Sequence, residues 1–132
     1  MDKTINVHGK RKTAIARASL KQGTGKITIN GMPLEHYQPR MYQLKIMEPV
    51  LLSGEVGAQV DISVLVNGGG TSGQTSAIRL CIGKALAQYA PKLKKLYLEY
   101  DRQMLVGDVR RKESAKPNRH GQARARRQKS YR

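Results

Sequence analysis

Gln59-Val60-Asp61-Ile62-Ser63-Val64-Leu65-Val66, running on into Asn67-Gly68-Gly69-Gly70-Thr71-Ser72-Gly73-Gln74, carries the clearest structural signal in this 132-residue chain. The first half puts Val60, Ile62, Val64 and Val66 on one side and Asp61, Ser63 and Leu65 on the other, the period of a strand with one buried face. Glycines and small hydroxyl residues then break the strand. A helix is expected from about Ser72 to Ala90, with Ile78, Ile82, Ala85 and Tyr89 on one stripe and Pro91 as its stop.

Upstream, Thr4 to Val7 alternates briefly. After Gly9-Lys10-Arg11-Lys12, the run Thr13 to Leu20 sets Ala14, Ala16, Ala18 and Leu20 against Ile15, Arg17 and Ser19. Gly23-Thr24-Gly25 reads as a turn into the β-branched run Lys26 to Ile29, closed by Asn30-Gly31, so residues 13 to 30 are expected to pair as a hairpin. Met32-Pro33-Leu34 is expected to leave the sheet. A short helix should run from Pro39 to about Met47, with Pro49 ending or breaking it. Downstream, Leu93, Leu96, Tyr97 and Tyr100 mark a second helix from Lys92 to about Asp101. This order fits a two-layer α/β (α+β) domain, a mixed sheet of about four strands with helices on one face.

Charge divides the chain at residue 109. Residues 1–109 form the expected globular domain, and residues 110–132 carry ten Lys or Arg against the single acid Glu113. Of the net +16, residues 1–21 hold +5, residues 22–109 only +2, and residues 110–132 hold +9. The last segment lacks large apolar residues apart from Tyr131 and Pro117, so by itself it should be an unfolded, extended basic tail. At roughly 3.3 to 3.6 Å per residue it can span about 75–80 Å, well beyond a body with a radius of gyration near 13 Å. A nearly neutral knob with cationic extensions is the layout of a polyanion binder. The tail has no Trp, Phe, Leu or Ile to insert into a bilayer, so nucleic acid is favoured over a membrane surface.

Other classes lose support. A lone Cys81 allows no disulfide framework and points to a reducing compartment, and His8, His36 and His120 are too scattered for a zinc site. No leader of the charged-then-apolar kind and no run of 18 apolar residues is seen, so neither a signal peptide nor a membrane span is expected. The glycine turn deserves comparison with the phosphate loop G-x-x-x-x-G-K-[ST], since Gly68 and Gly73 meet its first spacing. Gln74 stands where the lysine belongs, which removes the main charge on a bound triphosphate. Two readings of the turn remain: glycines required for positive φ with Thr71 or Ser72 capping the helix, or backbone N–H groups laid on an RNA phosphate. With no Trp or Phe, base stacking is scarce and phosphate contact must dominate. An architectural DNA-binding protein and a phosphate-loop enzyme stand as alternatives to an RNA-bound structural component.

Three stretches in order carry a resemblance. They are Gly9-Lys10-Arg11-Lys12-Thr13-Ala14-Ile15-Ala16-Arg17-Ala18, then Gly25-Lys26-Ile27-Thr28-Ile29-Asn30-Gly31, then Gly68 to Gln74 with Ala77-Ile78-Arg79 and Gly83-Lys84-Ala85-Leu86. Together with a basic tail ending in arginine, the chain closely resembles the universal small-subunit ribosomal protein of the S-nine family. Its ending, Lys129-Ser130-Tyr131-Arg132, is similar to the archaeal or eukaryote-type form. The resemblance implies a ribosomal S5 domain-2-like fold in the head of the cytoplasmic ribosome's small subunit, with no enzymatic activity and no cofactor or metal. Implied partners are small-subunit rRNA, neighbouring head proteins and peptidyl-site tRNA. The tRNA would be reached by Arg132, with Tyr131 in place of a second cation. The rRNA contacts are expected at Lys10, Arg11, Lys12, Arg17, the loop residues Gly69 and Gly70, and Arg79. The tail adds Arg110, Arg111, Lys112, Lys116, Arg119, Arg124, Arg126, Arg127 and Lys129. For Arg17 and Arg79 a surface ion pair is the competing reading.

Overall fold

The computed structural model of the chain describes residues 3–119, 121–124, 130 and 131. Five strands, β1 (Ile5–Arg11), β2 (Ala14–Gln22), β3 (Ile27–Ile29), β4 (Met32–Pro33) and β5 (Val60–Asn67), form one mixed sheet in the order β1-β2-β5-β3-β4. Four helices accompany it: α1 (Arg40–Ser53), α2 (Glu55–Ala58), α3 (Thr71–Tyr89) and α4 (Lys92–Tyr100). Leu34–His36 and Arg102–Met104 are single 3₁₀ turns.

β5 is central because its alternating apolar face is completely covered: Val60, Ile62, Val64 and Val66 join Ala14, Ala16, Ala18 and Leu20 of β2 in the core. The opposite face of the same strands is open, leaving Ile15 and Leu65 exposed. The long helix α3 lies on the covered face, with α1 and α4 packed beside it, so the two-layer expectation holds. The small alanines of β2 let α3 approach closely, and Ala77, Ile78, Cys81, Ile82, Ala85 and Leu86 supply the other half of the core.

The hairpin expected over residues 13 to 30 does not form. β2 pairs antiparallel with β1 on one side and with β5 on the other, while β3 pairs parallel with β5. Gly23-Thr24-Gly25 crosses the end of β5, where Asp61 Oδ1 accepts hydrogen bonds from the Thr24 and Lys26 amides at 2.8 and 2.9 Å. Those amides, that of Lys26 foremost, hold the Asp61 carboxyl below its ordinary range. The real hairpin is β1–β2, turned at Lys12 with φ 56°, so Gly9 to Arg11 are strand rather than a break. Met32–Pro33 also stays in the sheet, as a two-residue edge strand, which raises the count from four to five. An edge is where proline is tolerated.

α1 runs through Pro49 to Ser53 instead of stopping near Met47. The proline is buried against α4, and the hydroxyl of the fully buried Tyr97 donates to the Pro49 carbonyl at 2.6 Å. Tertiary packing here outweighs the helix-breaking preference. Cys81 is wholly buried, its thiol near the carbonyls of Val7 and Ala16, and burial pushes its pKa up to about 11. A thiol of this kind is inert. The folded protein should therefore resist iodoacetamide at neutral pH and become alkylated only in denaturant; rapid labelling of the native protein would contradict this packing.

Candidate nucleic-acid interface

The turn from β5 into α3 is built on two residues of positive φ, Gly68 at 75° and Gly69 at 64°. A Cβ at Gly68 would stand 2.6 Å from the Thr13 carbonyl oxygen, so side chains are excluded by space as well as by conformation. The cap of α3 is Gly70, and neither Thr71 nor Ser72 caps it as expected: no side chain accepts from the first-turn amides. Gln74, at the position of a phosphate-loop lysine, donates its side-chain amide back to the Gly68 carbonyl at 3.1 Å. It braces the loop. With no acid in the first turn, the positive end of a 19-residue helix is left open.

That helix end forms one wall of a cleft of about 270 Å³. Lys10, Arg11 and Lys12 from the β1–β2 hairpin line it, as do Lys45 of α1, Ser72, Gly73 and Ser76 of α3, Arg79, Asp108 and Arg110. Asp108 is an acid of this lining with its own partners. Arg110 donates to it through Nε and Nη2 at 2.9 and 2.6 Å, and Arg11 Nη2 lies 3.4 Å away. These contacts, the Arg110 side chain first, hold the Asp108 carboxyl well below the usual carboxylate range. Arg111 donates to the Lys12 carbonyl. The first residues of the tail are thus strapped to the tip of the β1–β2 hairpin.

Arg79 differs from the other cations. It is only 8% exposed and donates to Glu48 Oε2 through Nε and Nη2 at 2.8 and 2.5 Å, with Asp101 Oδ2 at 3.0 Å. Asp101 also accepts the Gln103 amide at 3.0 Å. One guanidinium therefore joins α1, α3 and the 3₁₀ turn after α4, which is the ion-pair alternative considered for this residue. Arg17 is exposed on the uncovered sheet face beside Ile15 and Leu65, away from the cleft.

Beyond Lys112 the tail bends. The Lys116 amide donates to the Gln122 carbonyl at 2.6 Å across a turn at Asn118, and Glu113 receives Arg124 Nε at 2.6 Å and Lys116 Nζ at 3.4 Å. The first half of the tail is a loop closed on its one acid, and Arg119 is exposed at its rim. Tyr131 is exposed as well. Arg126, Arg127, Lys129 and Arg132 lie outside the described residues.

Two cations escaped the sequence reading. Lys45 Nζ donates to Ser76 Oγ at 3.0 Å and Lys84 Nζ to the His8 carbonyl at 3.2 Å. Lys45 sits among the apolar residues that defined α1, and its only sequence signal was its place on the turn before Glu48. Lys84 stood within a quoted stretch but carried no assigned role.

The family model for ribosomal protein S9/S16 matches residues 9–132, a span that takes in the hairpin, the glycine turn and the tail. The chain belongs to this family. A relative named small ribosomal subunit protein uS9 from Methanococcus vannielii is 49% identical over 133 residues, covering 98% of this chain and 99% of its own. A protein of the same name from Methanococcus maripaludis strain C5 is 47% identical with the same coverage. Family membership makes the chain a structural constituent of the small ribosomal subunit and not an enzyme, and the relatives agree with the archaeal form of the ending. Among the described residues no helix is long and apolar enough to cross a membrane, and no cluster of His, Cys, Asp and Glu could hold a metal ion.

Proposed function

We propose that the chain binds small-subunit rRNA in the head of the cytoplasmic ribosome and extends its tail to the peptidyl-site tRNA. The observation that carries the reading is the convergence of the open α3 end, the β1–β2 hairpin and the root of the basic tail on one cleft whose acid, Asp108, is already engaged. Lys10, Lys12, Arg110, Arg111 and Lys112 surround this pole and contact phosphates, with Arg11 behind them and the Gly69–Gly70 backbone at its edge. Arg17 contacts rRNA from the open sheet face. Arg79 serves the interface by holding the cleft's floor together. Lys116, Arg119, Arg124, Arg126, Arg127 and Lys129 order the tail along rRNA, exchanging the internal partner Glu113 for phosphates. Neighbouring head proteins complete the surroundings.

At the end of the tail, Arg132 contacts the tRNA anticodon stem-loop and Tyr131 adds a hydroxyl or stacking contact. Deleting Ser130 to Arg132 should leave subunit assembly intact while weakening tRNA binding at the peptidyl site of reconstituted subunits. Unchanged tRNA affinity after that deletion would remove the tRNA role and leave the rRNA role standing.

A further inference from the structure

We propose that the cleft at the α3 N-terminus is a receptor for a single phosphate group, with Lys45 supplying its main charge and the Ser72 and Gly73 amides its directional donors. The inference deepens the rRNA-binding reading but has its own footing. Lys45 Nζ carries three donors, and the neutral Ser76 hydroxyl is the one acceptor it meets among the described residues. Glu48, one turn further along α1, is occupied by Arg79. Arg11 Nη1 lines the same space, is sealed from solvent, and has no acceptor among the described residues. A buried guanidinium nitrogen without a partner is costly, and so is a lysine head that ends on a hydroxyl; an anion between them satisfies both. The uncapped first turn of α3 directs backbone donors into the cleft, whose volume of about 270 Å³ admits a phosphate with its ester arms.

The shared chemistry is a tetrahedral oxyanion, from the RNA backbone or from solution. The full chain is titrated with inorganic phosphate and, separately, with a head-domain rRNA fragment, following the Ser72 and Gly73 amide resonances and the salt dependence of RNA affinity. Lys45→Gln should lower rRNA affinity about tenfold and reduce the salt slope by about one. Ser72→Glu is the decisive variant, because an acid in the first turn suits the helix dipole and keeps the fold, yet it repels a phosphate. It should hold or raise the melting temperature while abolishing the amide shifts. Lys95→Gln on α4 serves as the control, with no effect expected.

Shifts with both probes support a backbone phosphate as the ligand. Shifts with inorganic phosphate in a chain that fails to bind rRNA would keep the receptor and overturn the rRNA reading. If wild type binds rRNA and both variants match its affinity and slope, the receptor is refuted while the rRNA reading survives.

Discussion

Gly83→Ala is expected to destabilise the body by about 1–3 kcal/mol, against the gain of about 1 kcal/mol that this exchange brings in an ordinary helix interior. The reversal comes from one contact. A Cβ at Gly83 would stand 2.4 Å from the Met104 carbonyl oxygen and 3.4 Å from Met104 Cβ, and Met104 is itself fully buried. Both neighbours are packed backbone and core, with little room to yield. The 3₁₀ turn would be pushed off α3, and with it Asp101, which holds Arg79, and the strap that leads to Asp108 and Arg110. A melting temperature lower by roughly 5–15 °C is expected, along with weaker rRNA binding. Gly107→Ala, in the same strap, is the control, since its nearest neighbour is the Leu80 side chain at 3.8 Å. A Gly83→Ala protein as stable as wild type would show that the turn does not pack as described.

Replacing Arg119, Arg124, Arg126, Arg127 and Lys129 together by glutamine should take a large part of the salt dependence out of rRNA binding. If six to ten cations engage phosphates, wild-type affinity should fall by about 10³ to 10⁵ between 50 and 200 mM salt. Removing five reduces the logarithmic slope by roughly 4, since each released counterion contributes about 0.7 to 0.9. Stability should scarcely move, because Arg119 and Arg124 are exposed and the Arg124 pair with Glu113 lies at the surface. An unchanged slope would mean that the tail rests on something other than phosphate. Preference for duplex DNA over the rRNA fragment, in competition with the unaltered chain, would instead favour the architectural DNA-binding alternative.

The strand at residues 60–66 and the helix after it were legible because one face of each had to be apolar, and that constraint is written in the period of the side chains. Pairing was not. The Gly23-Thr24-Gly25 stretch has the composition of a hairpin turn, but β5 takes the place between β2 and β3, and no local signal reports that a strand some 30 residues later will enter the gap. Pro49 misled for a related reason: its cost is local, whereas its burial against Tyr97 is set by another helix. At the interface, Lys10, Arg11, Lys12 and the glycine turn were visible as a cationic tip and an open helix start. Arg79 looked like one more cation until Glu48 and Asp101 closed on it, and Lys45 was hidden among apolar neighbours in α1.

By itself, the sequence determined the body-and-tail division, the placement of positive charge, the apolar faces and the family, because composition and periodicity act residue by residue along the chain. Only the tertiary structure decided which strands pair, which cations are neutralised and which converge on the cleft. Those outcomes depend on distances between groups far apart in the chain, and electrostatic and packing energies respond to that separation in space rather than to position in sequence.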